Sequence, residues 1–145
     1  LPSAEAVMAR HMLRVLERGE ALPPSYRAPL AVWQLGDALT LVALPAEPVA
    51  DYAALVGRVL GPDRLWVAGF NNDCFGYLPT AQVVREGGHE AIGITLWIWG
   101  QDLSRNAGFF APEVEQVVLN AIGELARQVG RTSKATPRTA SNLPH

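Results

Sequence analysis

Arg64-Leu-Trp-Val-Ala-Gly-Phe-Asn-Asn-Asp-Cys-Phe-Gly-Tyr-Leu-Pro-Thr80 is the stretch on which the fold turns. Its first half, Leu65 to Phe70, is almost wholly apolar and reads as a strand buried on both faces. Its second half changes character abruptly. Asn71, Asn72 and Asp73 put three polar side chains where the strand ends; Gly76 frees the backbone, and Tyr77 and Thr80 follow. In α/β proteins ligands sit at the carboxyl ends of buried strands, which makes this loop a site candidate. The same residue types also make an ordinary turn.

Upstream, the pattern around this strand is βαβ. Leu30 to Leu35 and Ala38 to Leu44 read as two short strands, with Gly36-Asp37 fitting a two-residue type II′ hairpin turn. Their apolar density predicts a sheet covered on both sides and places Trp33 in the core. Pro48 fits the first turn of a helix, where a missing N–H costs nothing. Val49, Tyr52, Ala53, Val56 and Leu60 form that helix's apolar face, and Gly61-Pro62 ends it. Strands 38–44 and 65–70 should therefore be parallel, joined by a right-handed crossover, with Glu47 at a strand's end and a helix's start.

The flanks complete an α/β chain. Ser3 is a candidate N-cap for a helix carrying Ala4, Met8, Met12, Val15 and Leu16 on one face and stopped at Gly19. Leu22 to Pro29 is an extended connector, because its prolines forbid helix; Tyr26 and Arg27 within it pack back or reach a ligand. Ala81 to Glu86 is a helical turn broken by Gly87-Gly88. Ala91 to Trp99 reads as a further strand, and Gly100 to Phe110 as a loop long enough for a rim. Pro112 starts a last helix with Val114, Val118, Ile122, Leu125 and Val129 as its stripe, closed by Gly130. Arg127 and Arg131 favour its C-terminus. Arg131 to His145 has no periodicity and predicts disorder.

Bulk properties narrow the function. The 145 residues suffice for one domain with a core. With 49% apolar and 18% charged residues the chain is globular, and a net charge of −2 gives no electrostatic case for nucleic acid. No apolar run is long enough for a transmembrane segment. The one cysteine, Cys74, excludes an internal disulfide and a multi-cysteine metal site; it reads as a structural thiol. A start at Leu1 reads as a processed, trimmed or excised chain.

Glu47 and Tyr77 both follow buried strands at the same end of the expected parallel pair. A carboxylate and a phenol meeting there can hold a metal or work as acid and base. Alternatively Glu47 caps its helix and Tyr77 is a half-buried aromatic.

The order of these pieces resembles the neutral/alkaline ceramidase family, and more closely its bacterial ceramidase-like members. The resemblance is carried by Leu41-Val-Ala-Leu-Pro-Ala-Glu47 and by Trp66-Val-Ala-Gly-Phe-Asn-Asn-Asp-Cys-Phe-Gly-Tyr-Leu-Pro-Thr80, followed by Glu86-Gly-Gly-His-Glu90. It spans about Ser3 to Val129 and corresponds to the last part of that family's catalytic domain. It implies an α/β domain over residues 1–130 with a mixed sheet, a hairpin, a βαβ unit and helices on both faces, forming part of a larger domain, with 131–145 as tail. It implies zinc as cofactor, with Glu47 and Tyr77 as ligands and two histidines from earlier in the domain as the others. The implied reaction is zinc-dependent hydrolysis of an N-acyl amide such as ceramide, releasing fatty acid and amine. Asn71, Asn72 and Asp73 would orient Tyr77 or form a second shell.

His89 stands where the family usually has a second tyrosine, and would donate to the substrate carbonyl. Ala46 stands where the family usually has Gly. Neither His11, His89 nor His145 stands where the family has its two histidine ligands, so those ligands would come from the remainder of the domain or another chain. Trp97, Trp99, Phe109 and Phe110 are candidates to line an acyl-chain groove; the tryptophans are equally candidates for core. Family members are often secreted or membrane-associated, so an extracytoplasmic location is implied. The alternative is a non-catalytic binding or assembly module that keeps the fold and lacks the metal-binding histidines.

Overall fold

The structure, a computed structural model, describes residues 4–22, 25–92 and 110–131. Its centre is a three-stranded mixed sheet. Strand β1 (Ala31–Leu35) pairs antiparallel with β2 (Leu39–Ala43), and β2 pairs parallel with β4 (Leu65–Ala68). Between β2 and β4 lie a two-residue strand β3 (Glu47–Pro48) and helix α2 (Asp51–Leu60). The α/β class, the hairpin and the βαβ unit are thus as the pattern predicts. A second, two-stranded sheet pairs β3 with β5 (Tyr77–Leu78) in parallel. Around these are α1 (Ala4–Glu17), α3 (Ala81–Glu86), a 3-10 turn (Glu90–Ile92) and α4 (Val114–Gln128).

The register sorts the sheet residues onto two faces. Val32, Val42 and Val67 share one row of one face, with Thr40, Leu44 and Leu65 beside them. The face packs against Tyr52, Val56 and Leu60 of α2 and Val118, Leu119, Ile122 and Ala126 of α4. This is the core, and fully burying each large apolar side chain in it stabilises by roughly 1.5–3 kcal/mol. Thr40, buried within it, donates its hydroxyl to Gln34 Oε1 at 2.6 Å, so the polar atom is satisfied rather than stranded.

The other face differs from expectation. Trp33, Leu41 and Trp66 occupy one row of it. Trp33 is 51%, Leu35 55% and Trp66 59% exposed. Trp33 is therefore surface, not core. Helical cover, expected on both faces, is present on the Val32 face, while Trp33 and Trp66 stay exposed among the described residues. Apolar density in a strand shows that both faces are greasy; it does not show what lies over each.

Four further readings are corrected. The hairpin loop has three residues, because Leu35 pairs with Leu39. Gly36, at φ 53°, takes the positive angle a primed turn needs, and Ala38 N–H closes the turn onto Leu35 O at 3.2 Å. Pro48 ends a strand instead of starting a helix: α2 begins at Asp51, and Val49 N–H bonds to Leu78 O at 3.2 Å. In α4, Leu119 and Ala126 are buried and Val129 is exposed. The Arg131 side chain serves α2, while its backbone N–H closes α4 onto Ala126 O at 2.8 Å: the guanidinium donates to Leu60 O at 3.1 Å, Gly61 O at 3.3 Å and Asp63 O at 2.8 Å, satisfying carbonyls at and just past α2's end. The expected strand 91–99, most of the loop 100–110 and the tail beyond Arg131 lie outside the described residues.

Candidate functional site

The site is built where two loops leave the parallel strands and lace together. Leu44 N–H bonds to Ala68 O and Asn71 N–H to Leu44 O, at 2.8 and 3.0 Å. Phe70 N–H bonds to Ala46 O at 2.7 Å and Ala46 N–H to Asp73 O at 2.8 Å. Glu47 N–H reaches Gly76 O at 2.8 Å. This lattice continues as β3 and β5, in which Glu47 and Tyr77 are direct partners. The lacing is close: a Cβ on Gly69 would stand 2.6 Å from Pro48 Cδ, so only glycine admits the proline ring. It is also strained. Ala46 and Phe70 hold φ angles of 59° and 57°, the left-handed region that L-residues with a Cβ avoid, while Asn72, a residue type that tolerates it, holds 64°.

Glu47 and Tyr77 meet at the end of this lattice. The Glu47 side chain is exposed and the Tyr77 ring half-buried. Partial burial raises the Tyr77 phenol above its ordinary value first; the charges of Glu47 and Glu90 and a hydrogen-bonding interaction with Glu47 raise it further. The phenol is thus neutral at pH 7 and able to donate. His89, exposed, lies edge-on to the Tyr77 ring with centroids 5.3 Å apart at 72°. Three residues singled out from sequence, Glu47, Tyr77 and His89, are therefore neighbours. Glu90, which sequence reasoning did not place at the site, adds a second carboxylate to the field at Tyr77. Its signal was available in the His89-Glu90 pair.

The three polar loop residues have other employments. Asn71 Nδ2 donates to Ala68 O at 2.9 Å and Gly69 O at 2.7 Å, capping its own strand. Asn72 is exposed in its left-handed turn. Asp73 accepts from the Tyr26 hydroxyl at 2.5 Å and from Cys74 N–H at 2.8 Å. The expected second shell acts on the backbone that carries Tyr77, and its side-chain bonds run to these groups instead of to the phenol. Tyr26, placed in the connector where it could pack back or reach a ligand, packs, tilted on Phe75 with centroids 4.9 Å apart. Phe110 meets Phe75 edge-on at 5.7 Å and belongs to the margin of the core. Trp97, Trp99 and Phe109 lie outside the described residues.

As a metal centre the pair offers two oxygen donors. Among the described residues no three His, Cys, Asp or Glu side chains gather as a metal would need. No helix in the described residues is long and apolar enough to cross a membrane. Comparison with protein families, with curated proteins and with solved structures gives no match.

Proposed function

We propose that this chain carries the glutamate–tyrosine half of a zinc-dependent hydrolase site for a linear N-acyl amide, of the kind the ceramidase resemblance implies. The observation that supports it is the pairing of Glu47 with Tyr77 across β3 and β5, with His89 against the phenol. Ala46 adds support: its φ of 59° is a glycine's angle, and glycine is what the resembling family usually places before the glutamate. The donors are of a type that zinc accepts, but two oxygens fall short of the three protein ligands a catalytic zinc takes. The described residues alone therefore do not make a zinc site, and the missing ligands would come from histidines outside this sequence. In a completed site zinc supplies Lewis-acid polarisation of the amide carbonyl and a water of lowered pKa. This chain's share would be to hold Glu47 and Tyr77 as oxygen ligands and to offer His89 as a donor toward an amide carbonyl oxygen.

The test uses the protein made from the whole open reading frame, measured for metal by plasma mass spectrometry and for hydrolysis of a fluorogenic N-acyl amide. About one zinc per chain, lost together with hydrolysis in Glu47→Ala, is the expected result. No zinc, or zinc unchanged by Glu47→Ala, overturns the reading. A second reading, a binding or assembly module without catalysis, rests on the absence of a three-ligand group among the described residues. It predicts a reading frame without further histidine motifs and a protein that binds no zinc.

A further inference from the structure

Tyr26 is far from Glu47 in sequence and comes from the connector ahead of β1, yet a short run of bonds joins them. Its hydroxyl donates to Asp73 Oδ2 at 2.5 Å. Asp73 Oδ1 accepts Cys74 N–H at 2.8 Å, so both carboxylate oxygens are used and the residue's orientation is fixed. The Asp73 carbonyl accepts Ala46 N–H at 2.8 Å, and three residues on the Gly76 carbonyl accepts Glu47 N–H at 2.8 Å. Segment 73–76 therefore grips the backbone on the near side of Glu47 while leading directly into Tyr77. The Tyr26 ring anchors the same segment a second time through Phe75, which is almost fully buried.

This bracing acts on backbone that would otherwise relax. Ala46 and Phe70 hold left-handed angles within the laced loops. Such residues persist only where surrounding contacts hold them. Within the lattice most of those contacts are main-chain bonds between the two loops themselves. The Tyr26–Asp73 bond is a side-chain hydrogen bond that ties them to a separate part of the chain, 47 residues away in sequence.

We propose that Tyr26 is a positioning residue for the Glu47–Tyr77 pair: through Asp73 it holds the loops so that carboxylate and phenol stay in register. Its consequence for catalysis rests on the hydrolase reading, but the positioning itself is read without any substrate or metal. The probe is the full 145-residue chain with Tyr26→Phe, which keeps the ring on Phe75 and removes only the hydroxyl. Amide hydrogen exchange and ring–ring cross-peaks are followed by NMR. Losing a hydrogen bond to a charged group should speed exchange of the Ala46 and Glu47 amides about tenfold or more and weaken the Tyr77–His89 cross-peak. Amides of Val56 and Ile122 should keep their wild-type rates.

Unchanged exchange at Ala46 and Glu47 overturns the proposal. So does acceleration by one common factor throughout the core, which would mark Tyr26 as a general stabiliser. Asp73→Asn retains an acceptor for Tyr26 and should give an intermediate effect confined to the same two amides; no local effect there counts against the proposal, including where Tyr26→Phe does not fold. Metal content and hydrolysis of the protein made from the whole open reading frame are separate measurements, so the hydrolase reading can fail while the positioning stands, and the reverse.

Discussion

At Ala46 two costs oppose each other. A left-handed angle costs a residue with a Cβ about 1–2 kcal/mol, while its fully buried methyl contributes about 0.8 kcal/mol. Glycine would relieve the first, lose the second, and add about 0.5–1 kcal/mol of chain entropy. Ala46→Gly should therefore change stability by less than about 1 kcal/mol in either direction, whereas Ala126→Gly, equally buried but helical, should cost about 1–2 kcal/mol. Urea denaturation of the two variants checks this; equal losses would mean that position 46 carries no strain. Tyr52 presents a different balance. It is buried, donates to Pro79 O at 3.1 Å, and its phenol is pushed well above the ordinary value by burial first and the Glu115 charge second. A raised folded pKa contributes stability that is fully present below the unfolded value of about 10 and is lost as pH rises through the folded value. The protein should lose stability steeply above pH ~10, and Tyr52→Phe should flatten that loss, as read from denaturation midpoints across alkaline pH.

The elements show what the sequence makes legible. Periodicity and punctuation found α1, α2, α3, α4 and the three strands of the main sheet, because amphipathic spacing and Gly/Pro stops are local signals. The convergence of Glu47 with Tyr77 was legible for a geometric reason: parallel strands deliver their ends to the same side. What escaped was long-range. Pro48 looks like a helix start to any local rule, but a two-residue strand forms there because Leu78 is available to accept from Val49. Thr80 caps α3 locally through Val83 N–H, yet the Ala81 N–H is satisfied by Glu115 of α4, which no spacing announces. Arg131 is the same case: its charge and position suit the end of its own helix, while its side-chain bonds go to the end of α2. Three charge-assisted donations to helix-end carbonyls should make Arg131→Ala cost about 1–3 kcal/mol. Arg131→Lys should recover only part, since an ammonium lacks the guanidinium's fixed fork. Thermal denaturation of both variants decides it; a fully restored midpoint in the lysine variant would show that charge alone is needed.

For the molecule as a whole, the decisive asymmetry is between the sheet's two faces. One is sealed by α2 and α4, with Val42, Val56 and Ile122 wholly buried. The other presents Trp33, Leu35 and Trp66 more than half exposed, although β2 and β4 pair in parallel and parallel strands are ordinarily covered on both sides. Strand composition alone gives the two faces equal weight in folding. Burial gives them unequal weight, because a side chain contributes hydrophobic stabilisation only for the area it removes from water. Ile122→Ala, which opens a cavity between α4 and the sheet, should cost about 2–5 kcal/mol. Trp66→Ser and Trp33→Ser remove larger side chains of which only about half is covered and open no closed cavity, and each should cost about 1–2 kcal/mol, less than Ile122→Ala. Denaturant midpoints of the three variants, compared with unchanged m-values, measure this directly. A loss at Trp66 as large as that at Ile122 would mean that the second face is sealed in solution as firmly as the first, and the one-sided account of the core would have to be abandoned.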